Sequence, residues 1–316
     1  MSTVPEKRSP DLQGETADSS ATQGMRPASP ASHGMTRRDE PRRRARKGLF
    51  ILPSAFTAAN IAAGYYAISQ SIVGVAGDVN HFDHAAQAIG IAIVLDFFDG
   101  AVARLTNTAS GFGKELDSLA DVITFGVAPA VLAWMWGFRM LPQNLDPDIR
   151  ARVLQLGGIA TFVFLLAGAA RLARFNIQVN PQPLNPGRPG RKYFVGMPIP
   201  AGAGAVAAMV HLVNGEPLQW WPLAIGWAVF VFLISFLMVS TWRFFSLKGL
   251  NFREQQNFRW LIALGALIAL IWFASQYALF FLALLYILSG VLARLSFVFR
   301  RKPVAHAPAR DEASHA

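Results

Sequence analysis

The sequence predicts an all-α integral membrane protein, a polytopic helical bundle of about eight transmembrane helices. Three observations predict it. First, 53% of the 316 residues are hydrophobic and only 15% charged, with a mean hydropathy of +0.34, whereas a soluble domain carries about a quarter charged residues. Second, apolar windows long enough to cross a hydrocarbon core of about 30 Å recur from Phe50 onward. Third, Lys and Arg fall almost wholly on alternate connections between those windows. The same composition excludes disorder throughout, because disordered chains are poor in apolar residues. With 0 Cys there is no disulfide, thiolate nucleophile or Cys-ligated metal.

Residues 1–47 come first, rich in Ser, Pro, Ala, Gly and Arg and ending in a basic block from Arg37 to Lys47. Without apolar periodicity they cannot bury enough surface to offset their ordering entropy, and they read as a disordered basic tail. A nucleic-acid arm competes with a topological anchor for that block; the anchor is preferred and no nucleic-acid partner is expected. The spans follow at 50–73, 85–105, 114–137, 152–174, 198–214, 221–242, 258–275 and 277–297. The fifth is short and Gly/Ala-rich, and almost nothing separates the last two. The domain plan is therefore a tail over 1–47, a transmembrane domain over 48–298 and a second tail over 299–316.

The basic residues test that plan. With the N-terminus inside, 26 of the 29 Lys and Arg lie on the cytoplasmic side, and only Arg139, Arg150 and Arg152 fall outside. The external connections 74–84 and 214–220 hold no Lys or Arg. This is the positive-inside pattern for both ends cytoplasmic, and it gives the +10 net charge a topological meaning.

Four carboxylates stand inside this apolar sequence. A central transmembrane Asp costs roughly 2.5–3.5 kcal/mol, so four cost on the order of 10–14 kcal/mol if deeply placed. Asp96 and Asp99 are i, i+3 near the cytoplasmic end of the second span, and Asp117 and Asp121 are i, i+4 near the start of the third. Each pair occupies one helix face, and the connection 105–113 returns both to the same membrane side. Converging carboxylates repel unless cations neutralise them, and oxygen-only ligation favours Mg²⁺ or Mn²⁺. A cation or proton pathway of a carrier is the competing reading. Gly100, Ala103 and Gly113 lie in the same neighbourhood, where close helix packing explains small residues equally well. Arg104 reads either as a phosphate ligand or as a snorkelling cation.

Asp96-Phe-Phe-Asp99-Gly100-Ala-Val-Ala103-Arg104, eight residues, then Gly113-x₃-Asp117-x₃-Asp121 resembles the signature of the CDP-alcohol phosphotransferases, with all eight fixed positions present. Pro53 to Asn60 resembles that family's first-helix motif, with Ser54 where Asn is usual. The blocks Leu116–Ala130, Arg171–Asn176 and Phe194–Ala201 resemble the bacterial branch that takes serine. The resemblance covers about residues 50 to 250. It implies a six-helix core plus extra C-terminal helices, a homodimer, and transfer of a phosphatidyl group from CDP-diacylglycerol to an alcohol, here L-serine, with release of CMP. Glycerol phosphate, inositol phosphate and choline are the alternative alcohols. Asp96, Asp99 and Asp117 would hold one metal, and Asp96, Asp117 and Asp121 a second, with Asp121 also the general base. Gly100, Ala103, Arg104, Ser110, Gly113 and, from the first helix, Asn60 would hold CDP-diacylglycerol. Arg171, Arg174, Arg188, Arg191 and Lys192 are candidates for the carboxylate of serine or a phosphate, although membrane anchoring explains them too. The bacterial resemblance and the topology place the protein in the inner (cytoplasmic) membrane with its site facing the cytoplasm. His211, the histidine within a span, is expected to be packed. The Phe/Leu-rich last three spans carry no chemical signal.

Overall fold

A computed structural model describes residues 39–106, 111–177, 193–245 and 258–300. Two compact units divide at Arg44; of Met1–Arg44 only the residues from Asp39 are described, and Ala45–Ala316 holds the bundle. Eight α-helices occur among the described residues: α1 Asp39–Val73, α2 Asn80–Thr106, α3 Gly111–Asp121, α4 Ala128–Trp134, α5 Pro147–Ile177, α6 Ile199–Leu212, α7 Trp221–Val239 and α8 Phe258–Arg300. Most of the expected tail of residues 1–47 and all of that from 301 onward lie outside the described residues.

Among the described residues, five stretches are long and apolar enough to cross a membrane: Asn80–Val102, Gly111–Arg139, Pro147–Ile177, Trp221–Val239 and Ala269–Ser296. The chain is a multi-pass, all-α membrane protein. The eight helices are not the eight expected spans. The third span, Gly111–Arg139, is one rod in which α3 and α4 are joined by a π-helical stretch, Val122–Val127, and a second, Met135–Arg139, follows α4. The fifth expected span is α6, at 14 residues shorter than a full crossing. The seventh and eighth run on as α8, broken only at Ala274 (φ −145°, ψ 49°), next to the boundary expected at 275–277.

Close packing fixes the rods. Trp136 meets the Trp227 ring edge-on at 5.0 Å, and Trp227 Nε1 donates to Ala133 O at 3.1 Å. A Cβ on Gly137 would stand 2.2 Å from Trp227 Cδ1, so only glycine lets α7 lie this close. α6 and α8 are tied at the end of the bundle remote from the aspartates. There His211 Nδ1 donates to Asp83 Oδ1 at 2.5 Å, leaving Nε2 to meet Ser275 Oγ at 2.9 Å. Gln87 Nε2 donates to the other oxygen of Asp83 at 2.7 Å, and Gln276 donates to Asn214. The histidine is packed, as expected, and it anchors the residue after the α8 break.

Two short strands, β1 Tyr193–Val195 and β2 Arg243–Phe245, pair antiparallel with Phe194 opposite Phe244. Beside them Arg174 donates to Val239 O (2.9 Å), Val195 O (3.2 Å), Met238 O and Ser240 O (both 3.4 Å). These include the carbonyls that the end of α7 leaves unsatisfied. Gly196 (φ +75°) completes the knot; a Cβ there would lie 2.5 Å from Met238 O and 2.8 Å from Arg174 Nη2.

Candidate active site at the aspartate end of the bundle

Asp96 and Asp99 lie in the second half of α2, and Asp117 and Asp121 lie in the final turns of α3, directly before the first π-helical stretch. The ligand oxygens of Asp96, Asp117 and Asp121 come within 4.8 Å of one another. Asp99 has a different neighbour: Thr57 of α1 donates to its Oδ2 at 2.7 Å, and both side chains are buried. Thr57 sits inside the first-helix motif, one turn before Asn60, without a role that the motif assigns. The pairing joins residues 42 apart, and no local pattern announces it.

Asn60 faces the same region. It is 1% exposed and its side-chain Oδ1 has no partner among the described residues, while its backbone carbonyl accepts a hydrogen bond from Thr124 Oγ1 at 3.0 Å. Thr124 belongs to the π-helical stretch that widens the rod just beyond Asp121. Such stretches recur at functional sites because they re-aim the neighbouring side chains. Gly64, buried one turn beyond Asn60, allows α1 to touch the Thr124 backbone.

The acid cluster fits a divalent cation. Its donors are all carboxylate oxygens, and Asp121 Oδ1 is buried without a partner among the described residues. Three such groups within 4.8 Å repel strongly in a medium of low dielectric unless a cation lies between them.

The two arginines near the C-terminal end of α5 differ sharply. Arg174 is used up by the four carbonyls above. Arg171 is 8% exposed, lies 5.7 Å from the Phe175 ring centroid, and its Nε has no partner among the described residues. Its level follows from the antiparallel register of α5 on the third span. Asn176 Nδ2 donates to Ser118 Oγ at 3.0 Å, and a Cβ on Gly126 would touch Leu165 at 3.1 Å. Between those contacts Arg171 comes level with Asp121. Gly100 and Gly113 lie on α2 and α3 beside the aspartates, both partly buried. Ser110, Arg188, Arg191 and Lys192 lie outside the described residues, as do the side chains of Ala103 and Arg104.

Residues 50–234 match the family model for CDP-alcohol phosphatidyltransferase. The chain belongs to that family. Its members depend in general on divalent metals, in keeping with the acid cluster. Among curated relatives, a CDP-diacylglycerol–serine O-phosphatidyltransferase of Helicobacter pylori (strain ATCC 700392 / 26695) is 32% identical over 249 residues, covering 77% of this chain and 91% of that protein. Proteins of the same name from Saccharomyces cerevisiae (strain ATCC 204508 / S288c) and Methanocaldococcus jannaschii are each 37% identical, over 153 and 152 residues. Those matches cover 48% of this chain, with 50% of the yeast protein and 59% of the archaeal one.

Proposed function

We propose that the protein transfers the phosphatidyl group of CDP-diacylglycerol to the hydroxyl of L-serine, releasing CMP. The observation that carries this reading is the acid trio of Asp96, Asp117 and Asp121 beside a buried, incompletely partnered Arg171. The names of the similar proteins supply the alcohol.

In the reaction the serine oxygen forms a bond to the lipid-side phosphorus of the pyrophosphate. The bond from that phosphorus to the CMP oxygen breaks, and CMP leaves with the electron pair. The hydroxyl proton passes to the Asp121 carboxylate, which has two oxygens, one of them unpartnered. Asp96, Asp99, Asp117 and Asp121 would hold Mg²⁺ or Mn²⁺, in two sites by family resemblance, which when bound neutralises the pyrophosphate. Thr57 fixes the orientation of Asp99. By family resemblance Gly100, Ala103, Arg104, Ser110 and Gly113 would bind the nucleotide, and Asn60, whose Oδ1 has no partner among the described residues, would offer it an acceptor. Arg171 would take the serine carboxylate, whose two oxygens suit a guanidinium fork. Arg174 is withdrawn from that role by its carbonyl contacts; Arg188, Arg191 and Lys192 stay candidates on their connection. The site faces the cytoplasm of an inner membrane, which the distribution of basic residues supports, and the protein is a homodimer by family resemblance.

The test supplies purified protein in detergent with CDP-diacylglycerol, Mg²⁺ or Mn²⁺ and, separately, serine, glycerol phosphate, inositol phosphate and choline, and identifies the lipid product. Phosphatidylserine from serine alone is expected. A product from another alcohol, with serine inert, overturns the choice of alcohol and leaves the chemistry standing. No CMP release with any alcohol leaves the carrier reading in its place.

A further inference from the structure

A polar pair bridges α3 and α5 beside the acid trio. Asn176, the next-to-last residue of α5, donates from Nδ2 to Ser118 Oγ at 3.0 Å. Ser118 follows Asp117 directly in α3 and precedes Asp121 by one turn, so covalent geometry keeps the amide close to the trio. The antiparallel register brings the N-terminus of α3 and the C-terminus of α5 to this end of the bundle, where Asn176 is exposed.

The direction of the bonds fixes the amide. Ser118 Oγ also lies 3.0 Å from the carbonyl oxygen of Lys114 on its own helix. A carbonyl has no proton to give, so the one hydroxyl proton of Ser118 goes there. Towards Asn176 the hydroxyl oxygen can then only accept, and the nitrogen of the amide must face it. The amide oxygen, Oδ1, is turned away from Ser118 and meets no donor among the described residues. Asn176 therefore presents an oriented acceptor to solvent beside the carboxylates of Asp96, Asp117 and Asp121.

Such an acceptor discriminates among the alcohols. The phosphates of glycerol phosphate and inositol phosphate are anions, which a carbonyl oxygen repels, and the quaternary nitrogen of choline has no N–H. Serine brings a primary ammonium with three donors, and a hydrogen bond from a charged donor is shorter and stronger than a neutral one.

We propose that Asn176 binds the amino group of the alcohol substrate: Ser118 holds the amide so that Oδ1 accepts a hydrogen bond from a primary ammonium. This rests on the serine-transfer reading, in which Arg171 would take the carboxylate of the same molecule. Asn176 then separates an amino alcohol from a phosphorylated one. The aspartates cannot make that distinction, because the phosphatidyl transfer is common to every alcohol.

The experiment measures initial rates of the purified full chain, varying serine at saturating CDP-diacylglycerol and the reverse. Asn176→Ala removes the acceptor. Its serine KM should rise about tenfold, the effect of one hydrogen bond to a charged group. Its kcat and its KM for CDP-diacylglycerol should stay within about twofold of the unmodified protein. Asn176→Asp keeps an acceptor oxygen and removes both N–H donors, so it separates the ammonium contact from the bond donated to Ser118. Its serine KM should return to within about threefold of the unmodified value. An Asn176→Ala protein with an unchanged serine KM overturns the proposal. So does one in which kcat falls and both KM values rise together, the mark of a tie between helices alone, and so does an Asn176→Asp protein as impaired as Asn176→Ala. If the unmodified protein makes no lipid from serine, the proposed function fails, and a role for Asn176 towards the amino group falls with it.

Discussion

Gly64→Ala should slow catalysis from a position that touches no substrate. The new Cβ would lie 2.5 Å from Thr124 Oγ1 and 2.9 Å from Thr124 Cα. The second contact is backbone, so a side-chain rotation cannot relieve it. To restore ordinary contact α1 must retreat by roughly 0.5–0.9 Å. Thr57 lies two helical turns earlier on the same helix, and its 2.7 Å bond to Asp99 would stretch beyond the upper limit of about 3.0 Å for an O–H···O bond. Overpacking costs about 1–3 kcal/mol, and the better helix propensity of Ala returns about 0.8–1 kcal/mol. The net loss of stability is therefore small, about 0–2 kcal/mol. The rate should suffer more, falling about 10- to 100-fold as an aspartate at the reacting centre shifts by a fraction of an ångström. The assay pairs CMP release with thermal unfolding in one detergent. The control is Gly226→Ala on α7, where a Cβ meets nothing within 4 Å, and which should keep full rate. A Gly64→Ala protein as fast as that control would refute the coupling of this helix contact to the aspartates.

Thr57→Val, which keeps the shape and removes the donor, should lower CMP release about tenfold through an Asp99 left without its hydrogen bond, with an unfolding temperature close to that of the unmodified protein. Arg174→Ala should lose about 1.5–3 kcal/mol of stability, because several carbonyls at the end of α7 lose a charged donor, and the thermal midpoint is the readout. Arg174→Lys should not restore it, since one ammonium cannot span carbonyls from both β1 and α7. Stripping divalent metal with a chelator should abolish CMP release and lower the unfolding temperature, as the acid trio is left uncompensated. Readdition of Mg²⁺ or Mn²⁺ should reverse both.

The aspartate pairs were legible in the sequence because charge inside apolar spans is costly and their helical spacing places each pair on one face. The multi-pass, all-α class followed from window length and charge in the same way. What could not be read depends on contacts between distant helices. Thr57 and Asp99 are 42 residues apart, and nothing local marks them as partners. Arg171 and Arg174 are three residues apart in α5, so periodicity treats them alike; only the placement of the α7 end shows that Arg174 is spent on carbonyls. The expected break between the seventh and eighth spans corresponds to a kink at Ala274, where two helical stretches of α8 meet. Hydropathy marks such a boundary without saying whether the chain turns there.

The central claim, phosphatidyl transfer to serine at the acid cluster, is tested most directly by counting products. Purified protein in detergent is given CDP-diacylglycerol, labelled serine and Mg²⁺ or Mn²⁺, with no sealed vesicle present. The account predicts CMP and serine-labelled phospholipid in equal amounts, and a fall of about a thousandfold or more in a folded Asp121→Asn variant. Undiminished labelled lipid from Asp121→Asn, or CMP released without labelled lipid, would contradict it.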